Sequence, residues 1–249
     1  MKQKNSRKVK ENYKWFTNIV AIDPSTTCTG LCKNGELIAF TRRDLAETKN
    51  GKLKRWFHNT SEIADIVLIN DRNSSKDYSQ EEILKLEFYR TYTDKIISMI
   101  KNLDPADTLI VIEGYSYSSK AGHLIDLVGF STLLRHKLIE NGFKNIEIVS
   151  PSSLKLAVAK MSYEPEKEYL NKAKTRYKEV WKNKSGISGG QFKKEDMLQA
   201  LLDSKHTDSK WKHFILKNID DLASIKVPKP IEDLNDAFLL YNIYKKGFD

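Results

Sequence analysis

A chain of 249 residues, 40% hydrophobic and 30% charged, has the composition of a folded soluble protein, long enough for one sizeable domain or two small ones. Its 42 lysines and arginines against 33 acids leave a formal charge of +9, which points to a polyanionic partner, nucleic acid first, with mere solubility as the plainer alternative. No apolar run approaches the roughly 20 residues that cross a bilayer, and no hydrophobic leader opens the sequence, so the expectation is a cytoplasmic protein that is neither secreted nor membrane-bound.

Residues 1–17 read as a flexible basic arm, with Lys2, Lys4, Arg7, Lys8, Lys10 and Lys14 facing Glu11 alone, a composition that adds non-specific phosphate affinity. From Ile19 to Phe40 the pattern predicts two or three strands, with turns at Pro24-Ser25 and at Asn34-Gly35, the latter a strong hairpin signal. Cys28 and Cys32 share this region. On one strand they stand about 13 Å apart, too far for a disulfide, and no second Cys/His pair makes a zinc site with them. Residues 42–80 are polar and irregular except for Ile66-Val67-Leu68-Ile69, read as a strand.

Leu84, Phe88, Tyr92, Ile96 and Met99 recur at steps of three and four, predicting a helix over 80–102. Asp104-Pro105 ends it, and Leu109 to Ile112 reads as a buried strand, parallel to its neighbour. A second helix is expected over 121–140, with Leu124, Leu127, Val128, Leu134 and Leu138 inward and Asn141-Gly142 as its cap. Ile146 to Val149 is the next strand. Strands alternating with helices after an initial hairpin predict an α/β fold with a mixed sheet flanked by helices.

After Ser150-Pro151 the chain turns Lys-rich, with Tyr163, Tyr169, Tyr177 and Trp181 among the cations of an insertion spanning about 160–190. Those aromatics suit base stacking. Leu170, Ala173, Tyr177 and Trp181 also trace a helical stripe, so a Lys-rich helical insertion packing on the core is the other reading. Ser185 to Gly190 reads as a flexible loop, Phe192 to Met197 as the entry to a helix, and Pro228 and Pro230 as the prelude to a terminal helix.

The chemistry resides in four acids. Ile19-Val20-Ala21-Ile22 runs into Asp23, Leu109-Ile110-Val111-Ile112 into Glu113, and Asp233-Leu234-Asn235-Asp236 opens the last helix. Acids at the ends of core elements are costly to desolvate unless paired, protonated or bound to a cation. Asp233 and Asp236, three apart, are neighbours on a helical face that continues as Ala237, Leu240 and Tyr244. Oxygen donors without a His/Cys set suit Mg²⁺ or Mn²⁺, and a cluster of this kind can hold two cations about 4 Å apart, as phosphodiester hydrolysis requires. Singly, each acid has a plainer role: Asp23 opening a turn, Glu113 pairing with a lysine, Asp233 capping a helix.

Taken in order, Ile-Asp23-Pro24-Ser25-Thr26-Thr27-Cys-Thr-Gly30, Ile-Glu113 and Asp233-x-x-Asp236-Ala237 resemble the RuvC-type Holliday junction resolvases of the ribonuclease H-like (retroviral integrase) superfamily. Val149-Ser150-Pro151-Ser-Ser-Leu154-Lys155 and Gly189-Gly190-x-x-x-Lys194-Glu195-Asp196-Met197 resemble that family's two lysine-bearing segments. The resemblance runs from about residue 18 to 246 and rests on the ordered combination of short motifs. It implies a single ribonuclease H-like nuclease domain over 18–249, acting as a dimeric, metal-dependent endonuclease on four-way and other branched DNA. By it, Asp23, Glu113, Asp233 and Asp236 hold two Mg²⁺ ions, or Mn²⁺ in their place, and Lys155 and Lys194 contact phosphate near the scissile bond. Ser25 departs from the family's usual glycine. Where the family often carries an aromatic wedge three residues past the glutamate, this chain has Ser116 between Tyr115 and Tyr117, which puts those tyrosines forward for DNA contact. The resemblance also suggests a phage or viral source and hence a host cytoplasm. Three alternatives stand beside it: a less selective flap or branched-DNA nuclease of the same fold, an actin/sugar-kinase-like ATPase, and a non-catalytic DNA-binding module. The candidate dimer interface is the helix near 121–140, where Gly122 and Gly129 allow close approach and Leu124 and Phe130 are in reach of a partner; the alternative is that both glycines only let this helix sit tightly on its own sheet.

Overall fold

The computed structural model describes residues 15–115, 121–171, 173–205, 207–223 and 227–247. The arm over residues 1–14 and Ser116 and Tyr117 lie outside the described residues. In chain order the elements are β1 (Asn18–Asp23), β2 (Cys28–Lys33), β3 (Glu36–Arg42), α1 (Arg43–Ala46), α2 (Gly51–Thr60), β4 (Asp65–Ile69), α3 (Tyr78–Ile100), β5 (Thr108–Glu113), α4 (Ala121–Glu140) and β6 (Ile146–Val149). They continue with α5 (Pro151–Ser162), β7 (Pro165–Tyr169), β8 (Tyr177–Trp181), α6 (Lys194–Asp203), α7 (Lys210–Lys217), α8 (Ile219–Ala223) and α9 (Ile231–Lys246).

Six strands form one mixed sheet in the order β4-β3-β2-β1-β5-β6. β2 runs antiparallel to β1 and β3, whereas β1–β5, β5–β6 and β3–β4 are parallel pairs. The β2–β3 turn is Asn34-Gly35, with φ of 54° and 97°, the positive-φ pair that a tight two-residue hairpin demands.

Period-two alternation divides the strands between two cores. Ile19, Ala21, Leu109 and Val111 face the layer built by α5, α6, α7 and α9. Val20, Ile22, Ile110 and Ile112 face α3 and α4, through Tyr92, Ile96, Phe130, Leu134 and Leu138. The result is a three-layer α/β/α arrangement, the mixed, helix-flanked sheet that the sequence pattern predicts.

Several local expectations change. The stretch 42–80 contains α2, whose Leu53, Trp56, Phe57 and Thr60 share one helical face with Trp56, Phe57 and Thr60 buried. The insertion is not helical: β7 and β8 pair as an antiparallel hairpin. Asn171 accounts for the difference, because its Oδ1 accepts hydrogen bonds from the N–H groups of Thr175 and Arg176 at 3.1 Å and folds the chain back at the hairpin tip. Tyr177, expected to pack on the core, is 49% exposed. The segment 185–190 is tied down rather than loose: Asn183 Oδ1 accepts from Ser185 and Ile187, a bridge joins Lys182 to Ser188, and Gly189 is buried against Ala159. On α4, Phe130 is fully buried against Tyr89 and Tyr92 and so faces no partner, while Val128 turns outward.

Candidate metal centre

Strand register brings two of the acids together. β1 and β5 are parallel neighbours with Ile22 opposite Ile112, so the next residues, Asp23 and Glu113, end their strands side by side. Both fall on the odd-numbered alternation that faces α9, continuing Ile19-Ala21 and Leu109-Val111.

The third element arrives through a close backbone approach. Asp23 pairs with Gly30 across β1–β2, and a Cβ placed on Gly30 would lie 2.1 Å from the carbonyl oxygen of Asp233. Only glycine admits the first turn of α9 at this depth. That turn carries Glu232 and Asp233, the next carries Asp236, and both aspartates are buried.

Ligand oxygens of Asp23, Glu113 and Asp236 all lie within 4.8 Å of one another. Asp23 and Glu113 keep a partly exposed edge, while Asp236 is enclosed. Burial raises the Asp23 carboxyl well above its usual range, and the charges of Glu113, Asp236 and Asp233 add to the rise against the pull of Lys194. Glu113 is pushed up to about 7, by burial and then by Asp236. Asp236 is raised by burial and drawn back by Lys194.

Two lysines offset this crowding. Lys194, the first residue of α6, donates to Asp236 Oδ2 and lies 3.5 Å from Glu232. Burial would lower its pKa, but Asp236, Asp23 and Glu113 together raise it. Its position is fixed by Asp196, whose two oxygens accept from Lys193 N–H and from the Asn183 amide, each at 2.8 Å. Lys229 donates to Asp233 Oδ1. Asp233 is thus held one helical turn from the other three acids, next to Cys28, whose thiol is raised by burial and by the Asp233 charge. Both cysteines are free and buried.

Among the described residues, two buried side-chain oxygens have no hydrogen-bond partner, Asp233 Oδ2 and Asp236 Oδ1. Buried orphan carboxylate oxygens are costly, and beside two further carboxyls they form a donor set that fits a hard divalent cation. α5 supplies the neighbouring positive potential. It starts where β6 ends beside Glu113, with Ser150 capping Ser153 N–H at 3.1 Å, and the charge of Lys155 in its first turns acts on Glu113. The Asp23–Thr29 connection is closed by its own hydroxyls: Thr29 Oγ1 donates to Ser25 carbonyl oxygen at 2.8 Å, and Ser25 and Thr27 hydroxyls pair at 3.1 Å.

Tyr115 stands at the rim, its ring 5.4 Å from the Arg135 guanidinium, which also donates to its hydroxyl. Tyr117 lies outside the described residues. Glu232 and Lys229 escaped the sequence reading. Their signal is spacing, since Glu232–Asp236 and Lys229–Asp233 are both i,i+4 pairs around the acids already singled out.

No protein-family model and no curated protein matches the sequence. Among solved structures, the Thermus thermophilus RuvC structure aligns at 12% identity with a TM-score of 0.42, covering 93% of this chain and 98% of that one. T. thermophilus RuvC in complex with Holliday junction substrate aligns at 11% identity and TM-score 0.42, covering 93% of each chain.

Proposed function

We propose that the protein is a divalent-metal-dependent endonuclease that cleaves branched DNA, four-way junctions foremost, and works as a two-fold dimer. The observation that carries this reading is the convergence of Asp23, Glu113 and Asp236 from three elements onto one small volume, with an orphan oxygen inside it and lysines around it. Asp23, Glu113 and Asp236 would hold Mg²⁺ or Mn²⁺, with Asp233 Oδ2 as the further donor for a second ion. When bound, such cations supply Lewis acidity and neutralise charge that develops on a phosphodiester attacked by water.

The chain's own groups do the remaining work. Lys155 and the N-terminus of α5, beside Glu113, favour a phosphate at that edge. Lys194 anchors the carboxylates on one side and is the cation best placed to meet a scissile phosphate. The closed Asp23–Thr29 loop holds Asp23 at the strand end. The +9 charge draws the polyanion in, and Tyr115 borders the path of the strand.

The deciding experiment is cleavage of labelled four-way junction, flap and plain duplex side by side, in Mg²⁺ and in chelator. Metal-dependent paired nicking of the junction supports the reading. Equal cutting of flap and junction reduces it to a general branched-DNA nuclease, and no cutting of any substrate by a protein that binds Mn²⁺ refutes it.

A further inference from the structure

The β7–β8 hairpin is an insertion whose two strands are almost wholly solvent-exposed. An isolated two-stranded hairpin is marginal in water, so open faces on such a ribbon invite a partner. Cross-strand register places Pro165 opposite Trp181, Lys167 opposite Glu179 and Tyr169 opposite Tyr177, and directly opposed residues share a face. One face is therefore a ladder in which the Trp181 rung and the Tyr169–Tyr177 rung flank a Lys167–Glu179 rung. Tyr169 and Tyr177, 47% and 49% exposed, meet edge to face with ring centroids 6.3 Å apart.

Cations are stacked on that ladder. Lys167 lies 4.6 Å from the Tyr177 ring centre, Lys174 5.7 Å from Tyr169, and Lys160 of α5 5.3 Å from Trp181. The other face carries Glu166 and Glu168, which pair with Lys182 at 3.3 Å and Lys178 at 3.2 Å. Between Pro165 and Lys184 seven lysines and arginines stand against three glutamates.

The ribbon is wired to the acidic centre at its base. β7 follows α5 directly, and the return strand leads through Asn183, bonded to Asp196, to Lys194. Lys155 and Ser162 are about 10 Å apart along α5, and five residues of strand extend about 17 Å. That reach exceeds the about 12 Å of a major groove, which admits a two-stranded ribbon.

We infer that the Tyr169/Tyr177 face and the tip of this hairpin form a DNA grip: Lys167 on the face and Lys174 and Arg176 at the tip meet phosphates of a duplex arm while the tyrosine rings pack against sugars and base edges. The inference rests on the nuclease reading above and specifies which element holds the substrate outside the cleavage site.

The test is fluorescence anisotropy on labelled duplex and four-way junction over a salt series. It compares the full-length protein with Lys167→Gln/Lys174→Gln/Arg176→Gln and with Tyr169→Ala/Tyr177→Ala, each checked by circular dichroism and for Mn²⁺ binding. All five side chains are exposed, so folding should survive; the tyrosine pair keeps the test open if the triple variant does not fold. The triple variant should weaken binding about tenfold at low salt and flatten the log–log slope by about 2 to 3, at 0.9 per phosphate lost. The tyrosine variant should weaken binding with the slope unchanged. Variants that bind DNA as the parent does, with the same slope, overturn the grip while leaving the nuclease reading intact. A parent protein with no salt-dependent DNA affinity overturns both. Ribbon-dependent capture of phosphatidylserine vesicles without ribbon-dependent DNA binding also overturns it.

Discussion

Asp236 has one oxygen committed to Lys194 and one committed to nothing, and its neighbours Asp23 and Glu113 crowd further negative charge against it. Such a site is strained without a counterion and is relieved by one. Asp23→Asn should abolish Mg²⁺-dependent cleavage and leave junction affinity unchanged, because it removes a ligand without removing a phosphate contact. Turnover within about tenfold of the parent would take Asp23 out of the centre. The same crowding governs stability in chelator. Glu113 titrates at about 7 in the folded protein against 4.5 ordinarily, so between those values the folded state holds a proton that the unfolded chain has released. Stability from this group is complete below about 4.5 and is lost as pH rises through about 7. In EDTA the melting temperature should fall from about pH 5 to about pH 8, and Glu113→Gln should flatten that decline. An identical slope in the variant would assign the pH dependence elsewhere.

At the level of elements, two contacts hold the frame of the centre. The Tyr92 hydroxyl of α3 accepts from Thr29 N–H at 3.0 Å and donates to Phe40 carbonyl at 2.6 Å, joining backbone groups that oppose each other across β2–β3. Tyr92→Phe strands both in a dry core and should cost about 2 to 6 kcal/mol in urea unfolding, at about 1 to 3 for each orphaned group; a loss under about 1 kcal/mol would mean water reaches the gap. Gly30 is the second contact. A methyl group there collides with the α9 backbone, and Gly30→Ala should weaken Mn²⁺ binding together with stability, whereas a merely strained strand would lose stability alone.

Much of this frame is legible in the sequence, and the reason is periodicity. Alternation in Ile19 to Ile22 and Leu109 to Ile112 assigns Asp23 and Glu113 to one sheet face, and the 3.6-residue repeats of α3 and α4 give those helices to within two residues. α2 escapes the pattern because its apolar face is only Leu53, Trp56 and Phe57 in a helix of 10 residues, too short for the repeat to stand out. The hairpin was misread because Tyr177 and Trp181, four apart, satisfy both a helical and a strand period. Lys229 is legible only as an i,i+4 neighbour of Asp233, and the pairing of Glu232 with Lys194 appears only once α9 is docked.

For the whole molecule, charge and symmetry are the relevant quantities. Deleting residues 1–14 should flatten the salt dependence of DNA binding without altering junction-over-duplex preference, since tail–phosphate contacts carry no shape information; loss of preference at constant slope would contradict this. Two active sites facing like strands of a junction require closed two-fold symmetry. With Phe130 in the core, the outward apolar side chains of α4 are Ile125, 70% exposed, Val128, 38% exposed, and Ile139, 60% exposed. Ile125→Glu should yield a monomer by light scattering that nicks junctions singly; a variant still cutting both strands in one encounter would sink the dimer.

The sheet order has one more consequence. β1 and β5 are interior strands, paired on both edges and covered on both faces, whereas β7–β8 is exposed along most of its length, with Trp181 at its base packed on the core. Amide hydrogens opposite one another in β1 and β5 should therefore exchange with deuterium only through global unfolding, and those of the ribbon through cheap local opening. Asp23 and Glu113 hang from the part of the molecule that opens last, so their spacing survives every smaller fluctuation, while the ribbon, which begins just past the end of α5, is free to breathe against whatever it holds.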